Sequence, residues 1–461
     1  MGKLTITLED IFNISGAEIY NPDLFKPLSK IFIDSRKVEK NSIFVAIKGE
    51  NFDGHNFVLE ALKKGARAIV INKNRITKFR SIELPLITVP DTTIALGEIA
   101  NIYRKKLDTK IVSITGSNGK TSTKDILAIL LAEKFNVVKT EANNNNHIGV
   151  PLTILKADSN TDLLVIEHGT NHFGEIPYSS RIAEPDYSII TNIGDSHLEF
   201  LKNRDGVLKE KSALFTETIK NNGLVFINND DEKLRGSRRQ YKNAVTYGFK
   251  GKCDIKGKLL GYNNQGMPEI EIVYREKKFK VIIPLLGESN AINFLASSAV
   301  ALTIGLTPKQ ILSGAKKLHP VYGRLEFSHQ NNIYLINDTY NASPSSIQAA
   351  VKVIDKIKIY KKKLMILGDI FELGNKSAKI HADLIKCFEG NKDIVVFTIG
   401  DMMKKLHTQL RKNKIRSIHF YSREALSLYL KYEELEQTVV LIKGSRGMFM
   451  EEFVKIVEER A

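Results

Sequence analysis

The sequence predicts an α/β protein of three domains: a small mixed α/β domain, a central parallel-sheet P-loop domain, and a C-terminal doubly wound domain of the Rossmann-like kind. Three observations lead there. The chain has 461 residues, and roughly 150 per domain makes about three. Short, nearly continuous apolar runs alternate with helical patterns, as in parallel sheets covered on both faces. One such run, 110–115, leads into a Gly-containing turn that opens a helix, the setting a phosphate loop needs.

The expected boundaries are 1–89, 90–319 and 320–461. In the first span, 30–34 and 42–48 are β-like, 58–64 is helical, and 66–71 is a strand. Pro90-Asp91-Thr92 stops the preceding run and offers a helix N-cap, because Asp or Thr can accept from first-turn amides. The middle span then gives a helix at 92–106, a strand at 110–115 and a helix at 120–133. Strands follow at 163–167 and 187–193, a hairpin around 275–278, and a helix at 290–306. The last span alternates strands at 333–337, 364–368, 394–399, 417–421 and 439–443 with helices such as 345–357 and 448–459. Such alternation predicts a doubly wound sheet.

Composition narrows the class of function. A 43% hydrophobic and 26% charged chain has ample material for several cores, which excludes disorder. No run approaches the roughly 18 apolar residues that cross a bilayer, and the start shows no secretory pattern. Cys253 and Cys387 are too few for a disulfide framework or cysteine metal cluster. A cytoplasmic protein without membrane insertion is expected. The net charge of +16 is scattered, without a basic arm or zinc-finger spacing. It argues for a solvated surface or for anionic small substrates, and not for nucleic acid.

The sharpest motif is Gly116-Ser117-Asn118-Gly119-Lys120-Thr121-Ser122. Glycines let the backbone approach phosphate oxygens, and the helix start presents unpaired amides to negative charge. Lys120 is placed to neutralise the β and γ phosphates, and Thr121 to ligate magnesium. The spacing is shorter than in the standard loop, since only Ser117 and Asn118 separate the glycines. Glu167 and His197 stand beyond strand ends, where an open parallel sheet puts its ligands. A carboxylate suits magnesium, and imidazole is a softer ligand. Taken alone, either could equally be a capping group.

The set Thr115 to Thr121, Asn144-Asn145-Asn146-His147-Ile148-Gly149-Val150-Pro151-Leu152-Thr153, Asn171 to Ile176 and Ile190 to Gly194 resembles the Mur ligases. So do Gly323-Arg324-Leu325-Glu326, Asp338-Thr339-Tyr340-Asn341-Ala342-Ser343-Pro344, Leu367-Gly368-Asp369, Lys443-Gly444-Ser445-Arg446-Gly447 and, near the start, Asp34-Ser35-Arg36. These motifs run through nearly the whole chain in the family's order. The resemblance is strongest to the branch that joins D-alanyl-D-alanine to UDP-N-acetylmuramoyl-tripeptide in peptidoglycan precursor synthesis. It implies an N-terminal UDP-sugar domain, a central ATP-binding domain and a C-terminal domain that receives the amine component. A monomer is expected.

By the same resemblance, ATP and two magnesium sites are implied, served by Glu167, His197 and a carbamylated Lys211. A carbamate is an anionic ligand where an ammonium would repel the metal; the bland alternative is an exposed helical lysine. Asn290 and Asn293 match adenine contacts, with Ser289 where relatives have His; helix capping is the competing role. Arg324 matches the arginine that reaches the γ-phosphate, and its guanidinium fork suits phosphate. Asp338 matches the ribose acid, with Asn337 replacing a second acid, and Tyr340 and Asn341 support the nucleotide. Asp34, Ser35 and Arg36 match the UDP-sugar region, and Asn145, Asn146 and His147 the peptide substrate. A surface ion pair and a polar loop are the alternatives there, and a core or capping role is the alternative for His381. The rival functions are a Mur ligase adding a single amino acid, a regulatory P-loop NTPase, and a nucleotide binder without turnover. Whether the tripeptide ends in lysine or diaminopimelate stays open at this stage.

Overall fold

The computed structural model describes residues 4–391 and 393–460. These form two compact units, one of residues up to Thr246 with Ala299–Leu306, the other of Tyr247–Ser298 with residues from Thr307 onward.

The first unit holds two α/β layers. Its smaller sheet has the order Glu18–Tyr20, Leu86–Val89, Ala66–Asn72, Ser42–Val45, Lys30–Phe32. The first pair is antiparallel and the others parallel. Leu86–Val89 is fully buried yet too short to announce itself in the sequence. At the predicted cap, Asp91 Oδ1 accepts from the amides of Thr93 (2.7 Å) and Ile94 (3.0 Å) and starts the helix Thr92–Lys105. That helix buries Leu96, Ile99 and Ala100 in a cluster containing Ile43, Val70, Ile111 and Leu164.

A second set of parallel strands in this unit runs Leu224–Asn228, Tyr187–Ile190, Lys110–Thr115, Leu163–Glu167, Val137–Lys139. Lys110–Thr115 is central, with a parallel neighbour on each side. A crevice therefore opens beyond its carboxyl end, where ligands of open α/β sheets bind. The phosphate loop, Glu167 and the segment after Ile190 all stand at that crevice, because each lies at the carboxyl end of Lys110–Thr115 or of one of its two neighbours, Leu163–Glu167 and Tyr187–Ile190.

The second unit contains an antiparallel meander, Ile255–Tyr262, Pro268–Tyr274 and Lys277–Ile282. The predicted hairpin turns at Arg275 (φ 46°) and Glu276 (φ 65°), the paired positive φ of a tight two-residue turn. Its six-stranded sheet has the order Glu326–Gln330, Ile333–Asp338, Thr438–Lys443, Lys362–Gly368, Ile394–Ile399, Ser417–Phe420. Only the first pair is antiparallel. The last helix is Glu451–Glu458, shorter than the expected 448–459, because Phe449 at φ 48° separates it from a 3₁₀ turn at Arg446–Met448. The α/β class with its parallel and doubly wound sheets is as expected.

Candidate active site

The phosphate loop is stitched to the segment that follows Ile190. Ser117 N donates to Asn192 O (3.0 Å), Asn118 N to Asn192 Oδ1 (3.0 Å), and Thr191 Oγ1 to Asn118 O (2.6 Å). Ser117 Oγ accepts from Gly194 N at 2.9 Å. Gly116 has φ +151°, and a Cβ there would lie 1.9 Å from Thr191 Oγ1, so no side chain is tolerated. Gly119, at φ +80°, precedes the helix Lys120–Leu131, which has no side-chain cap. Its first amides are left for an anion. Lys120 curls back over the loop, with Nζ donating to Gly116 O (2.9 Å) and Ser117 O (3.4 Å). Ser122 is half-buried on the first helical turn.

Glu167 is 1% exposed. Its Oε1 accepts from Thr121 Oγ1 (3.2 Å) and Asn145 Nδ2 (2.8 Å), while Oε2 is buried without a hydrogen-bond partner. Burying an unsatisfied carboxylate oxygen is costly, and a hard divalent cation would satisfy it. Among the described residues no three His, Cys, Asp or Glu side chains converge as a metal cluster. A cation here would depend on the Thr121 hydroxyl, water and phosphate oxygens, which is magnesium's habit.

Lys211 lies on the helix Arg204–Lys220 and is 1% exposed, not the exposed lysine of the bland alternative. Burial, reinforced by the charge of Lys120, pushes its ammonium well below its ordinary range. The adjacent carboxylate is already engaged: Glu210 accepts from the amides of Gly174 (2.9 Å) and Ile176 (2.8 Å). His197, at φ 52°, is brought down to about 4 by burial and by Lys120 and Lys211. It is thus a neutral imidazole. Both shifts favour the uncharged form of the group, the form in which an amine meets carbon dioxide and an imidazole meets a metal.

Elsewhere in this unit, Asp34, Asn144, Glu141, Lys37 and Gly149 help line a cavity of about 530 Å³. Asp34 accepts from Arg36 Nε (2.9 Å) and Nη2 (2.8 Å). Those bonds hold its carboxyl at about 2, and the surface ion pair considered for this motif is therefore present. Ser35 is buried and donates to Glu60 Oε2 (3.0 Å). Asn145 turns toward Glu167, Asn146 Oδ1 accepts from Gly149 N (2.9 Å), and His147 is exposed.

In the second unit, Asn290 and Asn293 are buried, and Asn290 Nδ2 donates to Leu286 O (2.9 Å). Asp338 accepts from Lys443 Nζ (2.7 Å) and Leu325 N (3.2 Å); burial raises its carboxyl against the pull of Lys443. Arg324 stacks on Tyr340 at 4.0 Å from the ring centroid. Asn341 Oδ1 accepts from Ala342 N (2.9 Å), and its carbonyl from Lys443 (2.9 Å). His381 takes the core role: Nε2 accepts from Ile370 N (3.0 Å), and Nδ1 lies 2.8 Å from Ser377 O.

Three family models match successive parts of the chain: "Mur ligase family, catalytic domain" over 27–104, "Mur ligase middle domain" over 114–301, and "Mur ligase, glutamate ligase domain" over 323–446. The UDP-N-acetylmuramoyl-tripeptide–D-alanyl-D-alanine ligase of Bacillus subtilis is 33% identical, covering 97% of each chain. The chain belongs to the Mur ligase family. Among solved structures, MurF from Acinetobacter baumannii superposes with a TM-score of 0.85 at 27% identity, covering 99% of this chain and 100% of the other. MurF ligase from Thermotoga maritima, in complex with ADP, gives 0.82 at 28%, covering 94% and 98%.

As a Mur ligase, the chain carries buried polar residues to which sequence reasoning gave no role. Lys124 is buried one helical turn beyond Lys120, Lys443 is buried against Asp338, and His168 sits between Ser113 Oγ and Ser179 Oγ, both at 2.9 Å. The signal was available. Lys124 occupies the buried stripe with Leu127, Ala128 and Leu131, and Lys443 ends a wholly buried strand. A charged residue at an apolar position is a site candidate.

Proposed function

We propose that this chain is the ATP-dependent ligase that joins D-alanyl-D-alanine to UDP-N-acetylmuramoyl-tripeptide, giving the UDP-linked pentapeptide, ADP and phosphate. One structural observation carries the chemical reading: an uncapped phosphate-loop helix opens beside a buried carboxylate with one oxygen tied to Thr121 and the other accepting no hydrogen bond. That is a place for a metal-bound triphosphate. The relatives of full length supply the substrates.

Forming an amide in water requires activation of a poor electrophile. The terminal carboxylate of the tripeptide attacks the γ-phosphorus of ATP, the bond to the β-phosphate oxygen breaks, and an acyl phosphate forms with ADP leaving. The amine of D-alanyl-D-alanine then attacks the acyl carbon and loses a proton, and phosphate departs. Lys120 and the first-turn amides stabilise charge on the transferring group. Arg324, stacked and planar, supplies a guanidinium fork suited to phosphate.

Magnesium would be held at Thr121 and Glu167, and at His197 with a carbamylated Lys211. When bound, it neutralises phosphate charge and aligns the displacement. The cavity that Asp34 and Asn144 line is read as part of the UDP-peptide site, with Ser35, Arg36, Asn145, Asn146 and His147 shaping its surroundings. Asn290, Asn293, Asp338, Tyr340 and Asn341 are read as nucleotide contacts. No helix among the described residues is long and apolar enough to cross a membrane, and we place the enzyme in the cytoplasm.

A phosphate-release assay tests this directly. Release should require ATP, UDP-linked tripeptide and D-alanyl-D-alanine together. Hydrolysis without the amine would indicate a regulatory NTPase, and turnover with a single amino acid another member of the family. Tripeptides ending in lysine and in diaminopimelate, compared side by side, identify the third residue.

A further inference from the structure

The phosphate-loop helix presents a second lysine, this one buried, that the reaction above does not use. Lys124 is 1% exposed. Its Nζ donates to Ala142 O at 3.0 Å and lies 3.6 Å from Asp125 Oδ1 and 3.8 Å from Glu167 Oε2. Ala142 has φ 47°, a left-handed conformation unfavourable for alanine. It therefore needs an external hold, and the ammonium grips the carbonyl that this conformation presents.

Ala142 begins the segment 142–149, which is pinned to the same carboxylate a second time. Asn145 Nδ2 donates to Glu167 Oε1 (2.8 Å), and Gly169 N to Asn145 O (2.8 Å). Gly149 leaves no room for a Cβ, which would meet Asn144 O at 2.1 Å. Asn144 and Gly149 also line the cavity with Asp34 and Lys37. One short segment thus has the cavity on one side and the Glu167 carboxylate on the other. Lys124 touches both the segment and the carboxylate. An apolar side chain of equal length would fill the volume and remove the hydrogen bond that holds the Ala142 carbonyl.

We propose that Lys124 is a positioning residue that locks segment 142–149 and the Glu167 carboxylate into one arrangement, so that the cavity and the phosphate loop are set by the same ammonium. It rests on the assignment of the cavity to the UDP-linked substrate. The test combines a ligand-free measurement with a kinetic one, on the full chain. Lys124→Met should speed amide hydrogen exchange in segment 142–149 by roughly tenfold, the worth of a hydrogen bond from a charged donor. It should raise the KM for UDP-N-acetylmuramoyl-tripeptide by a similar factor, and leave ADP affinity measured without divalent cation within about twofold. Lys124→Gln, which keeps a donor but loses the charge and some reach, should shift exchange and KM by about threefold.

Wild-type exchange and KM in folded Lys124→Met would overturn the proposal. If that variant cannot be purified, wild-type values in Lys124→Gln overturn it, as does failure of both to fold, which would make Lys124 a core residue only. Absence of ligase turnover in the unaltered protein would defeat the functional assignment instead, while hydrogen exchange would still decide the role of Lys124.

Discussion

Lys211 and Lys443 are both almost wholly buried, and their surroundings differ. Lys443 donates to Asp338 and to the Asn341 carbonyl, so its charge is balanced within the polypeptide. Lys211 makes no hydrogen bond or ion pair among the described residues, and burial and Lys120 oppose its ammonium more than the neighbouring Glu210 carboxylate supports it. The first arrangement is self-sufficient. The second is stable only with the amine deprotonated or with a partner from outside the chain, because an unpaired buried charge is costly. A buried lysine held by no hydrogen bond or ion pair marks the reaction centre better than buried charge as such.

The largest effect should follow removal of Lys120, the lysine on the loop itself. Lys120→Ala should reduce phosphate release by about a thousandfold or to background; unchanged turnover would remove its role and leave the comparison with one active lysine. Asp338→Asn comes next and acts on stability. It leaves Lys443 buried opposite a neutral group and should cost about 3–5 kcal/mol in urea unfolding. A Lys443→Met, Asp338→Leu double variant should recover most of that, since a pair replaced together leaves no orphan charge. If it does not, the pair contributes more than mutual compensation.

Lys211 should respond with the opposite sign. Lys211→Met removes a burdened amine and should stabilise the ligand-free protein by about 1–4 kcal/mol at pH 7, while abolishing turnover. Because folding depresses this pKa, the unfolded chain binds more protons between the folded value and 10.5. Stability from this group therefore rises with pH across that window; Lys211→Met should flatten the rise, measured by unfolding at pH 7 and pH 9. Lys211→Ala, assayed with short carboxylic acids added, should regain part of its activity if a carbamate is the working form. No recovery would argue for the amine itself.

The sequence announced these positions unequally, for physical reasons. A strand buried on both faces is a contiguous apolar run, so Lys110–Thr115 and Leu163–Glu167 were found to the residue. The phosphate loop was evident because strand, glycines, lysine and hydroxyl fall within one short stretch. Lys211 required the family resemblance, although Val207, Leu214, Phe215 and Thr218 form a buried helical stripe that includes it. The low mean polarity contrast of that helix hid the stripe, since Glu210 is buried too. Leu86–Val89, Val137–Lys139 and the left-handed Phe449 were not legible, because three- and four-residue strands and single backbone inversions are set by tertiary contacts.

The smallest effect separates a surface pair from a binding pair. Arg36 has a side chain 82% exposed and holds Asp34, which lines the cavity. Exposed ion pairs contribute little to stability, so Arg36→Ala should leave the melting temperature unchanged. The Asp34 carboxyl, held at about 2 by those hydrogen bonds, would relax toward its ordinary value and remain ionised at pH 7. Any effect near neutrality must then come from the lost guanidinium or from lost orientation of Asp34, not from protonation of Asp34. A several-fold rise in KM for the UDP-linked peptide at constant melting temperature would place this pair with Lys211, as a group arranged for a ligand. An unchanged KM would place it with Lys443, as charge that only the polypeptide uses.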